Sequence, residues 1–480
     1  MGLGQALDHY RRNRPDMAEA LCRAIPSSHP DHAAALYLLG VMARERGDAP
    51  AALASLQDAA TRAPGNPSFR STLGVMQEEG GLVEEAAESY RTAIALGHPG
   101  AAPRLSLGKL LRRLGRPEEA ASVLEDALVR DAHLAEAHRE LGDVRRTLGD
   151  AEGALAAYDA AIALAPDDAA AHGHRALVRL LLGDLDGGFS EYEWRWKDPA
   201  FRSSALPADA PLWDGGPLEG LTLRLVAEQG FGDSFQFLRY APLAAARGAR
   251  VQVLCQKKLV DLAATVPGVA LAQAQDALPA PADCQASLLS LPRLFGTRLE
   301  TVPSPIPYIR PPAERVADWR RRLAGHQGFK IALVWRGASS AGRLAARGEA
   351  LRPEHLAPLV HRPGISAFSL QKDPEPAELE ALGGLPHLAD AVATFGDTAA
   401  ALMAFDLLVS IDTATVHLAG ALGIPCRVLL VPVHDWRWLR NREDSPWYPS
   451  LRLHRRAAGE SWEAAIGRLA ADLDRLRAQP

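Results

Sequence analysis

FDLLVSIDTATVHLAGALGIP, Phe405 to Pro425, is the stretch whose reading decides the fold. Leu407 to Ile411 is an apolar, β-rich run, the pattern of a strand buried on both faces of a parallel sheet. Asp412 and Thr413 break the run with helix-capping residue types. Ala414 to Leu422 then reads as a short helix closed by Gly423 and Pro425. Cys426 to Val431 is a second buried run, so the stretch is a βαβ unit. Sheets of this kind bind ligands at the carboxyl ends of their strands, where a helix N-terminus aims free N–H groups and a partial positive charge outward. A diphosphate suits such a place; plain capping by Asp412 and Thr413 is the alternative.

Outward from this unit, other strands deliver polar groups to the same edge. Lys330 to Trp335 ends at Arg336, Ile365 to Leu370 ends at Gln371 and Lys372, and a further strand leads to His434 and Asp435. Arg336, permanently charged and able to bind through two N–H groups, is the expected diphosphate clamp. Lys372 is a second cation for the same role, or a solvated side chain in its K-D-P-E-P loop. Upstream, Leu221 to Ala227 is a strand followed by Glu228-Gln229-Gly230-Phe231-Gly232-Asp233 and a helix from Ser234 to Arg247. Strand, glycine loop and helix form a Rossmann-type first crossover, although Phe235 stands at the third glycine position of a dinucleotide fingerprint. Further strands are expected at Val251 to Leu254, Val269 to Leu271 and Ala286 to Leu289, and a terminal helix at Glu460 to Ala478.

The D-T-A-T-V-H-L-A-G-A-L-G-I-P run beginning at Asp412 resembles the donor-binding D-T-G-x-x-H-x-A-x-A-L-x-x-P segment of ADP-heptose:lipopolysaccharide heptosyltransferases. It resembles still more the glycosyltransferase domain of bacterial tetratricopeptide-repeat proteins, among them O-GlcNAc-transferase-like and flagellin-modifying enzymes. The resemblance spans roughly Leu212 to Leu453 and implies a GT-B fold of two Rossmann-like halves. It implies donor binding by Asp412, Thr413, Ala414 and His417, with Arg336, Gln371 and Lys372 beside them. Asp233 falls on the position of the catalytic base, with Gly230 and Gly232 as bare backbone on the acceptor side. A carboxylate there can take the proton of an attacking hydroxyl; the alternative is an N-cap aspartate. Ala414 departs from the heptosyltransferase Gly and puts the heptose donor in question. In those transferases a lysine follows the strand matching Lys330 to Trp335, where Ala338 to Arg352 offers only arginines.

The first two hundred residues follow another rule. Leu39-Gly40, Leu73-Gly74, Leu107-Gly108 and Leu141-Gly142 recur every 34 residues, as do Gly47, Gly81, Gly115, Gly149 and Gly183, and Ala52, Ala86, Ala120 and Ala154. Leu56, Tyr90, Leu124 and Tyr158 follow four places after those alanines. This is the tetratricopeptide signature, a pair of antiparallel helices per unit, stacked into a solenoid whose groove holds peptide. Dimerisation or bracing is the alternative role. All nine tryptophans lie from Trp194 onward, so the composition shifts where the repeats fade.

The expected architecture is therefore α + α/β, an N-terminal solenoid followed by a GT-B transferase. The repeat array spans 1–200, a linker 201–220, the acceptor-side half 221–312 and the nucleotide-sugar half 313–480. A net charge of −5 argues against a general nucleic-acid binder. Four scattered cysteines form no CxxC pair, so no zinc or disulfide framework is expected. No apolar leader opens the chain and no stretch reaches 18 uninterrupted apolar residues, so a cytoplasmic protein without a transmembrane segment is expected. The expected activity is an inverting, metal-independent transfer of sugar from a nucleotide-sugar to a hydroxyl. It needs no cofactor, and its acceptor is a protein, flagellin among the candidates, recruited by the repeats. Its rivals are a non-catalytic repeat scaffold and a lipopolysaccharide sugar transferase.

Overall fold

The computed structural model describes residues 2–199, 206–337 and 350–478. Residues 201–205 of the expected linker and most of the arginine-bearing segment after Lys330 to Trp335 lie outside them. The chain forms two compact units, Met1–Ala171 and His172–Pro480.

The first unit is a stack of helix pairs, Leu3–Arg11 with Pro15–Arg23 through Ala135–Thr147 with Ala151–Leu164. The 34-residue code has a steric cause. A Cβ on Gly40, Gly74, Gly108 or Gly142 would lie 2.6, 2.9, 2.5 or 2.5 Å from the side chains of Leu56, Tyr90, Leu124 and Tyr158. Each Leu-Gly pair is thus the hole into which the bulky residue of the second helix fits. Ala52, Ala86, Ala120 and Ala154 have no exposed surface, because the paired helices meet there. The mid-repeat glycines Gly47, Gly81, Gly115 and Gly149 turn the chain at φ 80°, 76°, 71° and 81°, left-handed values that a side chain disfavours. Consecutive repeats are also tied by Arg44 to Glu79, Lys109 to Glu136 and Arg112 to Glu140.

The second unit begins with the last repeat helices, of which Leu185–Tyr192 and the turn Glu193–Lys197 are complete within it, and continues into two parallel sheets. The first sheet has the order β3-β2-β1-β4, from β1 (Thr222–Val226), β2 (Arg250–Cys255), β3 (Val269–Ala274) and β4 (Cys284–Ser287). The second runs β6-β5-β7-β8-β9, from β5 (Phe329–Val334), β6 (Ile365–Ser369), β7 (Leu407–Ile411), β8 (Cys426–Leu430) and β9 (Leu451–Arg455). In each sheet the chain reverses its direction of addition beside the first strand, between β1 and β4 and between β5 and β7. Such switch points open a crevice at the strands' carboxyl ends. One apolar core joins Leu180, Leu185 and Phe189 of the last repeat to Leu223 and Leu225 of β1 and Leu408 of β7.

Several elements differ from the sequence expectation. The helix expected over Ser234 to Arg247 starts earlier and breaks into Phe231–Phe237, a 3-10 turn Leu238–Tyr240 and Ala241–Ala246, with Pro242 opening the last piece. Leu288–Ser290 is a 3-10 turn rather than the end of a strand. Leu451–Arg455 is an edge strand that the sequence expectation did not include. The terminal helix Trp462–Ala478 packs Ile466, Leu469 and Leu473 on Ile331, Leu333 and Val409 of the second sheet. In the described part of the linker, Trp213 donates to the Gln285 carbonyl of β4 at 2.7 Å. No helix among the described residues is long and apolar enough to cross a membrane.

Candidate functional site

The Phe231–Phe237 helix leaves the end of β1 with Gly230 at its N-cap, which places Asp233 in the third helical position rather than at the cap. The Gly230 N–H donates to Asp233 Oδ2 at 2.9 Å. A second helix, Ala414–Leu422, leaves the end of β7 with Thr413 at its N-cap in extended geometry and no side-chain cap bond. Its first turn carries His417. The two helices meet so closely that a Cβ on Gly232 would lie 2.8 Å from His417 Cδ2. At this contact Gly232 leaves room for the imidazole.

Arg437, from the turn Trp436–Trp438 after β8, draws the pieces together. Its guanidinium donates to Asp233, to Gln236 Oε1 at 2.8 Å and to Asp435 Oδ1 at 2.8 Å. Asp435 also accepts the Arg437 backbone N–H at 3.0 Å. Burial disfavours the charged Asp435, but the Arg437 charge and hydrogen bonds outweigh it and hold its carboxyl below the usual range. Asp412 goes the other way. Desolvation first, then the Asp435 carboxylate, pushes it up to about 7, and the solvent still reaching its side chain limits that rise. His417 lies 3.9 Å from Asp412 through Nε2, beyond hydrogen-bond reach. Its Nδ1 pairs with the Tyr448 hydroxyl at 3.0 Å, and its ring stacks on Trp438 at 5.3 Å. Burial, then the nearby Arg437 charge, pushes His417 down to about 3, so it is neutral at physiological pH.

Behind this cluster Arg239 is buried with no carboxylate partner among the described residues. It donates to the carbonyls of Gln236 at 2.8 Å and Trp447 at 2.7 Å and to the Tyr308 hydroxyl at 3.2 Å, and lies over the Tyr308, Trp447 and Tyr448 rings. Among the described residues the buried donors Gln236 Nε2 and Trp447 Nε1 find no acceptor. Orphaned donors, a positive guanidinium and an uncapped helix N-terminus suit an anionic, oxygen-rich group. Two cavities, of about 520 and 400 Å3, lie elsewhere among the described residues.

The other expected donor residues are brought to the sheet edge but engaged locally. Gln371 accepts the N–H groups of Trp335 at 3.0 Å and Arg336 at 2.8 Å and donates to the Arg336 and Lys372 carbonyls, clamping β5 to β6. Arg336 binds the Asp373 carbonyl at 2.7 Å and Glu378 at 3.2 Å. Lys372 is not a loose solvated side chain: its amine donates to the Ala389 and Val392 carbonyls at 3.0 and 2.5 Å. Ala414 stands at the first helical position, beside Thr413. Sequence reasoning missed Arg437, Gln236, Arg239 and Tyr448. Arg437 had one signal, an acid and a base two residues apart in the H-D-W-R-W run after β8.

The tetratricopeptide repeat family matches residues 3–67, 50–104, 77–135, 105–169 and 139–199. Protein FlbA of Caulobacter vibrioides (strain ATCC 19089 / CIP 103742 / CB 15) is 29% identical over 313 residues, 58% of this chain and 52% of FlbA. The chain thus spans about half the length of the curated relative it matches. Among solved structures, MamA is 22% identical over 35% of this chain and 98% of its own, with a TM-score of 0.32. YrrB, a TPR protein with an unusual peptide-binding site, is 18% identical over 34% of this chain and 87% of its own, with a TM-score of 0.31. A tetratricopeptide repeat protein from Parabacteroides merdae ATCC 43184 is 18% identical over 41% of this chain and 77% of its own, with a TM-score of 0.34. Scores this low add nothing to the architecture. The chain carries tetratricopeptide repeats over residues 3–199, followed by a region of two parallel sheets, and is a distant relative of FlbA.

Proposed function

We propose that the region after the repeats is a GT-B glycosyltransferase. Its acceptor-side half is 221–312, its nucleotide-sugar half 313–480, and the repeats recruit a protein acceptor in the cytoplasm. The observation that carries this reading is the meeting of Asp233, from the end of β1, with Arg437, from the end of β8, beside the uncapped Ala414–Leu422 helix. Two parallel sheets thus bring an acid and a phosphate-seeking cation together at their switch-point ends.

In the proposed reaction the acceptor oxygen forms a bond to the anomeric carbon as the bond from that carbon to the diphosphate oxygen breaks. The leaving oxygen takes the electron pair, the acceptor proton passes to Asp233, and the configuration inverts. Asp233 cannot take a proton while it holds Arg437, so the guanidinium must turn to another anion, and the leaving diphosphate is one. Helix N-terminus and Arg437 together stabilise the developing charge, the interaction that lowers the barrier. The chemistry needs no cofactor or metal.

A scaffold without catalysis is the second reading. It is favoured by the local engagement of Arg336, Gln371 and Lys372. Titration calorimetry with UDP-, GDP-, ADP- and CMP-sugars separates the two. The transferase reading expects one donor to bind and Asp233→Asn to leave its affinity near normal while turnover falls on the order of 10²–10⁴-fold. Binding of none, with the repeats still capturing a protein, leaves the scaffold.

A further inference from the structure

The larger cavity, of about 520 Å3, lies at the outer edge of the second sheet, between the loop from Asn441 to Glu443, strand β9 and the terminal helix. Five guanidiniums line it; Arg442 is paired with Asp444 at 2.6 Å and Arg468 with Glu460, which leaves Arg452, Arg455 and Arg475 against two lining carboxylates, Glu443 and Asp472. That excess stands out in a chain with a net charge of −5. The acids are also over-committed. Asp472 serves Arg427 at 2.5 Å, His454 at 3.5 Å and Arg475 at 3.6 Å, and Glu443 reaches Arg452 only at 3.9 Å. The Arg475 and Arg452 pairs, long and with exposed guanidiniums, contribute little and exchange readily for a better anion.

Arg455 sets the character of the place. Its guanidinium is pinned by the carbonyls of Arg442 at 2.9 Å, Trp438 at 2.6 Å and Leu439 at 2.9 Å and by the His434 ring at 2.6 Å. No carboxylate pairs with it among the described residues. A half-buried cation without a counter-charge, beside Arg452 and Arg475 whose acid partners stand off at 3.9 and 3.6 Å, is an arrangement suited to an anion of several charges. Convergent forks of N–H groups favour phosphate oxygens over a single carboxylate. We propose that this cavity binds a soluble ligand bearing a diphosphate or similarly charged phosphate group, separate from the Asp233–Arg437 cluster and independent of the transferase reading.

The test is titration of the full chain with pyrophosphate. Wild type should bind saturably, and more weakly as salt rises from about 50 to about 500 mM. Arg452→Glu with Arg475→Glu, both exposed and loosely paired, should keep the melting temperature and weaken that binding at least about tenfold, the loss of charge-assisted bonds. Arg475→Gln alone should give a smaller loss and guards against a folding effect of the double reversal. Pyrophosphate binding that is equal in wild type and double variant overturns the proposal, as does an absence of binding at low salt. If pyrophosphate binds and the variant loses it while no nucleotide-sugar binds, this cavity stands and the transferase reading falls.

Discussion

Replacing Gly232 by Ala tests the meeting of the two helices directly. The added methyl would sit 2.8 Å from His417 Cδ2 and 3.4 Å from Nε2, so the ring must retreat by several tenths of an ångström. It has little room, being 5% exposed, stacked on Trp438 and bonded to Tyr448. Overpacking of this kind costs about 1–3 kcal/mol. Ala is worth about 0.5–1 kcal/mol more than Gly within a helix, so the net loss should be about 0.5–2 kcal/mol. In a unit of this size each kcal/mol moves the melting temperature by about 2 °C. Tryptophan fluorescence reads the right unit without interference, because all nine indoles lie from Trp194 onward. His417→Ala removes the obstacle, so in that background Gly232→Ala should change sign and stabilise. If Gly232→Ala costs the same with and without the imidazole, the contact is not what keeps position 232 a glycine.

Other outcomes follow from the same geometry. Gly142→Ala, whose methyl would meet the buried Tyr158 ring at 2.5 Å, should destabilise the repeat unit by about 1–3 kcal/mol, read by far-ultraviolet circular dichroism. Asp412, raised to about 7 in the folded chain, favours folding when protonated, and that contribution fades as pH climbs toward 7. The melting temperature of Asp412→Asn relative to wild type should therefore rise between about pH 4 and pH 7.5. His417 has the opposite sign: held neutral to about 3, it supports folding above about pH 6.5 and costs stability as pH falls below that, so His417→Gln should flatten the acid limb of the melting profile. A chain beginning at Leu206 loses Leu180, Leu185 and Phe189 from the core it shares with β1, roughly 5–9 kcal/mol of apolar burial, and should not fold; one beginning near Ala169 should.

The repeats were legible because their code is local: each Leu-Gly pair answers a bulky residue sixteen places on, inside one helix pair. Most strands were legible because β1, β7 and β8 are buried on both faces and read as mainly apolar runs, interrupted inside only by Arg224, Ser410 and Arg427. β9 was not, since an edge strand alternates, with Arg452 and His454 interrupting Leu451 and Leu453. The site was legible only at its ends. Asp233 and Asp412 stand where strand meets helix, a position that sequence marks. Asp233 and Arg437 are 204 residues apart, and no local pattern announces such a pair. Arg336 looked free because its partner Glu378 lies 42 residues downstream in a helix the strand reading did not include.

The two units also differ in how far along the chain their contacts reach, and that sets the order in which they form. Within the repeats each helix touches the one before and the one after, so every closure spans a few tens of residues at most. In the second unit Ile331 pairs with Leu407 and Leu223 with Cys284, closures of 76 and 61 residues in a wholly parallel arrangement. Long closures lose chain entropy before any contact rewards them, so folding slows as mean contact separation grows. The solenoid emerges first from the ribosome and can complete itself repeat by repeat. The sheets wait until β5, β7, β8 and the terminal helix have all been made, and until then apolar strands without partners are the segment of this chain most exposed to aggregation.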